Sequence, residues 1–123
     1  MSAPLQAADL RFINSVAARR FGGGEPGSVD PGALDAALSA AAEGTAFVRA
    51  ATLAAVLVQR QAFASAPLQT ALLVLHCALS LEGFSLIAPQ GVLAGMIDAL
   101  AKDGDAGVVA RWLEDRAVPT ASG

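Results

Sequence analysis

The segment spanning residues 67–81 constrains the fold most, because it is apolar on nearly every side of a helix. A helix of that kind lies at the buried centre of a domain. Its longest apolar stretch, residues 71–81, contains His76 and is shorter than the roughly 20 residues that a helix needs to cross a bilayer. The segment therefore predicts a central helix and no membrane span.

The remainder of the chain carries helical patterns rather than strand patterns. Hydrophobic residues make up 54% of the 123 residues and aromatic residues only 5%, so helices have to pack closely on Ala, Leu and Val. We find no convincing alternation of the kind that predicts a strand. Apolar spacing with start and stop signals predicts helices at residues 8–21, 31–44, 46–60, 67–81, 89–102 and 105–116.

These helices predict one compact all-α domain of about six helices over residues 1–118, followed by a flexible tail at residues 119–123. At the second helix, Asp30 is a preferred N-cap and Pro31 a preferred first helical residue. In the first helix, an apolar stripe is expected to face inward; it consists of Leu10, Ile13, Ala17 and Phe21.

Charge and cysteine content restrict the function classes. A net charge of −3 argues against direct nucleic-acid binding, and the largest basic cluster, Arg19-Arg20, is interpreted as a solvated helix end. A single cysteine excludes an intrachain disulfide and is typical of a reducing compartment. The start of the chain has neither a basic end nor a long apolar run. We expect a cytoplasmic protein without a membrane anchor.

A short motif lies between the third and fourth predicted helices. Residues 61–72 read QAFASAPLQTAL. This run resembles the signature of the Doc branch of the Fic (Fido) family, roughly H-P-F-x-D-[AG]-N-K-R-T-A-L between two core helices. The frame of the signature is retained at Phe63, Ala66, Thr70, Ala71 and Leu72.

The positions that carry the family's chemistry differ in this chain. Gln61 stands where the family has its base His, and an amide cannot accept a proton at neutral pH. Ser65 replaces the acidic magnesium ligand, and Pro67 replaces the Asn of the phosphate-binding loop. Leu68 and Gln69 replace the two cations. The resemblance therefore implies a degenerate site, with no metal or cofactor.

The resemblance covers nearly the whole chain. Residues 9–38 are similar to the opening of Doc-like proteins, which leads into a flap on the substrate side, and residues 79–89 and 112–116 are similar to later passages. Glu25 and Asp30 fall in the flap-like segment, where they are candidates for partner contact; a turn residue and an N-cap are the alternative interpretations.

Two functions remain open. One is a pseudoenzyme with a toxin fold that binds a protein partner, an antitoxin-like protein or a DNA-binding regulator, with Phe63 as a further contact. The alternative is a residual transferase that moves a phosphate or nucleotidyl group to a protein hydroxyl. Ser65, Gln69 and Thr70 are then weak candidates for nucleotide binding.

Other reactive residues have simpler interpretations. His76 and Cys77 lie in the apolar segment and are interpreted as core residues rather than as a base and a nucleophile. The glycine-rich residues 22–27 lack the ending of a phosphate loop, and residues 103–105 are interpreted as a helix boundary rather than a calcium site. No spacing of a metal site is present in the sequence.

Overall fold

Helices form at the segments where the apolar spacing predicts them. The computed structural model describes residues 5–21, 27–102 and 104–120, apart from the side chain of Gln90. The elements in these ranges are α1 (Ala7–Phe21), α2 (Pro31–Ala40), α3 (Ala46–Gln59), α4 (Pro67–Leu81), β1 (Phe84–Leu86), α5 (Gln90–Ala101), α6 (Ala106–Arg116) and β2 (Ala117–Pro119). The chain is thus an all-α domain with one small sheet.

Polar caps explain where several helices begin. The Asp30 carboxylate accepts a hydrogen bond from the Ala33 N–H at 3.2 Å, with Pro31 at the start of α2. Thr45 caps α3 in the same way, and Asp105 caps α6. A cap of this kind contributes about 1 kcal/mol. The predicted N-cap at Asp30 is confirmed.

The centre of the domain is shared by α3 and α4. Helix α3 packs against α2, α4, α5 and α6, and its buried alanines allow these helices to approach closely. Helix α4 has the predicted bounds and buries one side, but its last residue, Leu81, is exposed. The predicted central helix is therefore confirmed, with α3 as a second and more fully buried one.

The inward stripe predicted for α1 is partly wrong. Leu10 and Ala17 are buried, whereas Ile13 is only partly buried and Phe21, the last residue of α1, is 60% exposed. Asn14 is buried instead. An amide can replace an apolar residue in this position only because it finds hydrogen-bond partners, which belong to the site described below.

A small sheet was not predicted. Strands β1 and β2 pair antiparallel, with Phe84 opposite Pro119 and Leu86 opposite Ala117. The Thr120 N–H also donates to the Gly83 carbonyl at 2.8 Å. The sequence pattern did not indicate these strands, and Pro119 and Thr120, which were assigned to the tail, are paired with residues of the domain. Strands of three residues are too short to show an alternating pattern; residues 121–123 lie outside the described part of the chain.

Within the residues that the structure describes, no helix has the length and apolar character required to cross a membrane.

Candidate functional site at the loop between α3 and α4

The loop that carries the motif has an unusual backbone. Gln61 and Ala66, at its two ends, have positive φ values of 52° and 47°. Each non-glycine residue in this left-handed region costs on the order of 1 kcal/mol and persists only where the surroundings enforce it. The loop is therefore held in shape by contacts rather than by its own preference.

The first set of contacts comes from the segment that precedes α2. Val29 and Phe63 form an isolated antiparallel bridge. The Asp30 N–H donates to the Ala62 carbonyl at 2.9 Å, and the Ala64 N–H donates to the Ser28 carbonyl at 3.0 Å. These two hydrogen bonds fasten the middle of the loop to residues 28–30.

Gly27 makes this approach possible. A Cβ atom at Gly27 would lie 3.0 Å from the Ala64 Cβ, closer than carbon atoms normally pack. The absence of a side chain at this position lets the two segments meet. Glu25, the other flap residue predicted to contact a partner, lies outside the described residues.

The second set of contacts comes from α1. The Asn14 side-chain amide donates to the Ser65 carbonyl and to the Thr70 hydroxyl, both at 2.9 Å. That hydroxyl in turn donates to the Ala66 carbonyl at 2.7 Å. Asn14 and Thr70 are buried, so the bond between them is shielded from water, whereas the bonds to the Ser65 and Ala66 carbonyls are partly buried. The network joins α1, the loop and the first turn of α4.

Sequence reasoning missed Asn14, although one signal was present. Asn14 lies between Leu10 and Ala17 on the apolar side of α1, where a polar residue requires a partner. Nothing in the sequence named that partner. Thr70, a weak candidate for nucleotide binding, has its hydroxyl engaged within the protein by the same network.

A cavity opens beside the loop. Its volume is about 490 Å³. Among the residues that the structure describes, those that line it are all uncharged: Ser28, Val58, Gln61, Phe63, Ala64, Pro67, Leu68 and Ala101. The structure thus brings together five residues of the motif at one cavity, while Ser65 and Gln69 are absent from its lining.

Motif residues in the cavity differ in exposure. Gln61 and Pro67 are exposed and Leu68 is partly buried. Phe63 is only 3% exposed, because it packs in the core with Leu10 and Val74. Phe63 therefore offers little surface to a partner and mainly anchors the loop. An uncharged cavity with one exposed amide can bind an uncharged side chain by packing and hydrogen bonding.

Asp30 has a structural role. Its side chain caps α2 and its backbone N–H binds the loop, as described above. The N-cap interpretation of this residue is confirmed. Its exposed carboxylate remains next to the loop, so partner contact stays a prediction.

His76 and Cys77 lie on α4, away from the cavity lining. Both side chains are partly buried, so their interpretation as core residues was too strong. Burial raises the pKa of the Cys77 thiol above its ordinary value. The thiol is therefore protonated at neutral pH, and a protonated thiol is a poor nucleophile. Among the described residues, no group of three or more His, Cys, Asp or Glu is placed to hold a metal ion.

A second cavity of about 490 Å³ lies at the opposite ends of α3 and α4. Its charged residues, Arg49 and Glu82, form an ion pair, and Arg49 also donates to the Gly44 carbonyl at 2.6 Å. The cavity is otherwise apolar and is lined by Leu5, Leu38, Ala41, Ala42, Ala46, Ala50, Leu53, Ala78 and Leu81. Since its charges neutralise each other, this cavity offers no free group for chemistry.

The geometry alone describes an all-α domain with an anchored loop and an uncharged cavity. Comparisons with known proteins add no family assignment to this description. No protein-family model matches the chain, and no curated protein is significantly similar to it.

Proposed function

We propose that this chain is a Doc-like pseudoenzyme that binds a protein partner through the cavity beside residues 61–68. The proposal rests on one contrast: the loop is firmly held by other parts of the fold, but the described residues that line the cavity are uncharged. The loop is held by the Val29–Phe63 bridge and by Asn14, whereas the described residues of the cavity lining include neither an acid, a base nor a cation.

Such a cavity suits binding better than group transfer. Transfer from a nucleotide requires positive groups or a metal ion against the phosphates and a group that accepts the proton of the target hydroxyl. Within the described part of the chain, none of the lining side chains carries a charge or has an ionisable group that titrates near neutral pH. An apolar or amide side chain of a protein, in contrast, fills such a cavity without leaving a charge unpaired.

The proposed partner is an antitoxin-like protein or a DNA-binding regulator. The resemblance of residues 61–72 to the Doc signature supports this class of partner, because related toxins pair with such proteins. The net charge of −3 is consistent with a chain that leaves any DNA contact to its partner. In this proposal the chain and its partner form a regulatory complex. The loop at residues 61–68 is the part of this chain that the partner binds.

A charge placed in the cavity tests the proposal. Gln61→Glu adds a carboxylate to the lining, and Gln69→Glu adds the same charge to an exposed position outside it. The tagged chain is isolated from its own host with any protein that co-purifies in fixed ratio. We expect Gln61→Glu to weaken the complex by at least about tenfold, and Gln69→Glu to leave it nearly unchanged. Equal retention of the partner by both variants contradicts the proposed site.

Residual transferase activity is the competing outcome. A calorimetric titration of the protein with ATP and magnesium decides between the two functions. We expect no binding at millimolar nucleotide. If the protein binds ATP with micromolar affinity and a Ser65→Ala variant loses that binding, the pseudoenzyme proposal is wrong and the transferase function is favoured. We also expect Gln61→His alone to restore no transfer to a protein target, because the other family groups are still missing.

A further inference from the structure

The second cavity, at the ends of α3 and α4 away from the motif loop, has the size and lining of a small-molecule site. Its volume of about 490 Å³ falls in the range of roughly 300–1,000 Å³ that is typical of ligand pockets. Such pockets combine apolar walls with a few polar groups that orient the ligand. Here the walls include the buried Ala50 and Leu53, and the polar groups are Arg49 and Glu82. The cavity therefore offers apolar burial and two opposite charges in one place.

The ion pair is held in position but stays within reach of a ligand. Arg49 donates to the Gly44 carbonyl at 2.6 Å and to the Glu82 Oε1 atom. Its guanidinium carries more N–H donors than these two acceptors use, and the Glu82 carboxylate has a second oxygen. The two side chains line the cavity and are 32% and 44% exposed, so a molecule in the cavity can contact them. The pair can therefore bind a ligand without being separated.

Both charges lie at helix ends that do not favour them. Arg49 is in the first turn of α3, which begins at Ala46, and Glu82 is the C-cap of α4, which ends at Leu81. A helix has partial positive charge at its N-terminus and partial negative charge at its C-terminus, so each side chain repeats the charge of its own helix end. An exposed ion pair also contributes little to stability. The stability of the fold thus does not explain why these two charges line the cavity.

The same placement suits a ligand that carries both charges. A carboxylate beside Arg49 also meets the positive end of α3, and an ammonium group beside Glu82 also meets the negative end of α4. In an α-amino acid these two groups are bonded to one carbon atom, so they can contact two side chains that are themselves in contact. A third, apolar substituent of that carbon atom then enters the apolar part of the cavity.

We propose that this cavity binds a free α-amino acid with an apolar side chain, such as leucine or phenylalanine. The ligand carboxylate binds the Arg49 guanidinium, the ligand ammonium group binds the Glu82 carboxylate, and the ligand side chain packs among the apolar residues of the lining. The site is separate from the cavity beside residues 61–68, because the 14 residues of α3 that lie between the two span about 21 Å. The proposal therefore does not depend on a protein partner.

Other ligands of an apolar cavity match this one less well. A fatty acid places its carboxylate next to Glu82 without a cation of its own, and an apolar amine places its ammonium group next to Arg49 without an anion. An uncharged apolar molecule uses neither charge. Glu43 precedes Gly44 in the same turn, but it is exposed and does not line the cavity.

The test is a titration of the isotope-labelled full chain, with amide chemical shifts followed by NMR. The ligands are leucine, phenylalanine and three analogues that each lack one feature of leucine: isocaproate lacks the ammonium group, isoamylamine lacks the carboxylate, and glycine lacks the side chain. We expect saturable shifts at residues 41–53 and 78–82 with leucine or phenylalanine, at a Kd below about 1 mM. Each analogue should bind at least about tenfold more weakly.

Variants connect the binding to the ion pair. Arg49→Gln combined with Glu82→Gln should weaken amino-acid binding by at least about tenfold and keep the helix content, because an exposed pair contributes little to the fold. The matched control removes the other ion pair, at the end of α5: Asp98→Asn combined with Lys102→Gln should change the affinity by less than about twofold.

A variant of the cavity wall provides a check that leaves the charges unchanged. Ala78 lines the cavity from α4 and is partly buried, so Ala78→Leu should occupy part of the space and weaken binding by at least about tenfold. Four results overturn the proposal: no saturable shifts up to about 10 mM amino acid, shifts confined to other residues, full binding by the double charge variant, or isocaproate binding as tight as that of leucine. The last result assigns the cavity to carboxylates with an apolar chain. If the double charge variant does not fold, the analogue series and Ala78→Leu decide the question.

Discussion

Each face of α1 carries one side chain of the kind that usually lies on the other face. The inward face buries the amide of Asn14, and the outward face exposes the ring of Phe12. The buried amide has two acceptors within hydrogen-bond distance, Ser65 and Thr70. In the described part of the chain, the exposed ring is in no aromatic or cation contact: those found involve Phe47 with Phe84 and Arg116 with Trp112.

Asn14 and Phe12 therefore differ in how much they contribute to the stability of the fold. A buried polar group is tolerated only when its hydrogen bonds are made within the fold, so Asn14 contributes to stability. A largely exposed ring gains little from the fold, so Phe12 contributes little to stability. Substitutions on the inward face should therefore change the free energy of unfolding, and those on the outward face should not.

The largest expected effect is that of Asn14→Leu. Leucine has the same branched skeleton, although it is bulkier, and it leaves the Ser65 carbonyl and the acceptor side of the Thr70 hydroxyl without their donor. We expect the free energy of unfolding to fall by about 2–3 kcal/mol, because buried unsatisfied acceptors are costly. Urea denaturation followed by circular dichroism measures this change.

Amide exchange locates the effect of the same variant. Exchange at Asp30 and Ala64, whose N–H groups donate to the Ala62 and Ser28 carbonyls, should accelerate if the Asn14 network holds the loop. A variant that loses stability without faster exchange in the loop contradicts the anchoring role and leaves only a general packing defect.

Thr70→Val should have the next largest effect. Valine keeps the shape of threonine but removes both the hydrogen bond to the Ala66 carbonyl and the acceptor for Asn14. We expect a loss of about 1–2 kcal/mol in the free energy of unfolding. Since Asn14 and Thr70 are in contact, the double variant should lose less than the sum of the single losses. Strict additivity in this double-mutant cycle argues against a shared network.

The helices and their first residues could be predicted because local chemistry determines them. Asp30 and Pro31 start α2 through a side-chain cap and a preset φ, both visible in neighbouring residues. The apolar segment that begins at Pro67 indicated α4 with its correct ends. Each of these signals depends on residues within one or two turns of the chain.

Non-local contacts could not be predicted in the same way. The bond from Asn14 to Ser65 joins residues 51 positions apart, and no local pattern specifies it. The positive φ values of Gln61 and Ala66 arise from contacts of the loop, against the preference of both residue types. The resemblance of residues 61–72 drew attention to this loop, but the anchoring by Asn14 emerged only from the three-dimensional arrangement.

Ser15 lies between the inward and outward faces of α1, so its substitution shows how far the inward face extends. Its hydroxyl donates to the Phe12 carbonyl at 2.8 Å, within its own helix and partly exposed to water. Such a bond competes with solvent and with the helix backbone, and alanine has the higher helix propensity. We expect Ser15→Ala to raise the free energy of unfolding by at most about 0.5 kcal/mol. A loss of more than about 1 kcal/mol in the urea titration contradicts this expectation. The Ser15 hydroxyl would then stabilise the fold as the inward side chains do.

The smallest expected effect on folding is that of Phe12→Ala. Because the ring is 69% exposed, its removal gives up little buried area, and alanine favours the helix. The free energy of unfolding should therefore stay within about 0.5 kcal/mol of its original value, although the change removes most of a large side chain. Leu10→Ala, on the buried side of the same helix, is the matched control and should cost about 2–5 kcal/mol. If Phe12→Ala is as costly as Leu10→Ala, the ring stabilises the domain itself, and the expected difference between the two faces of α1 is wrong.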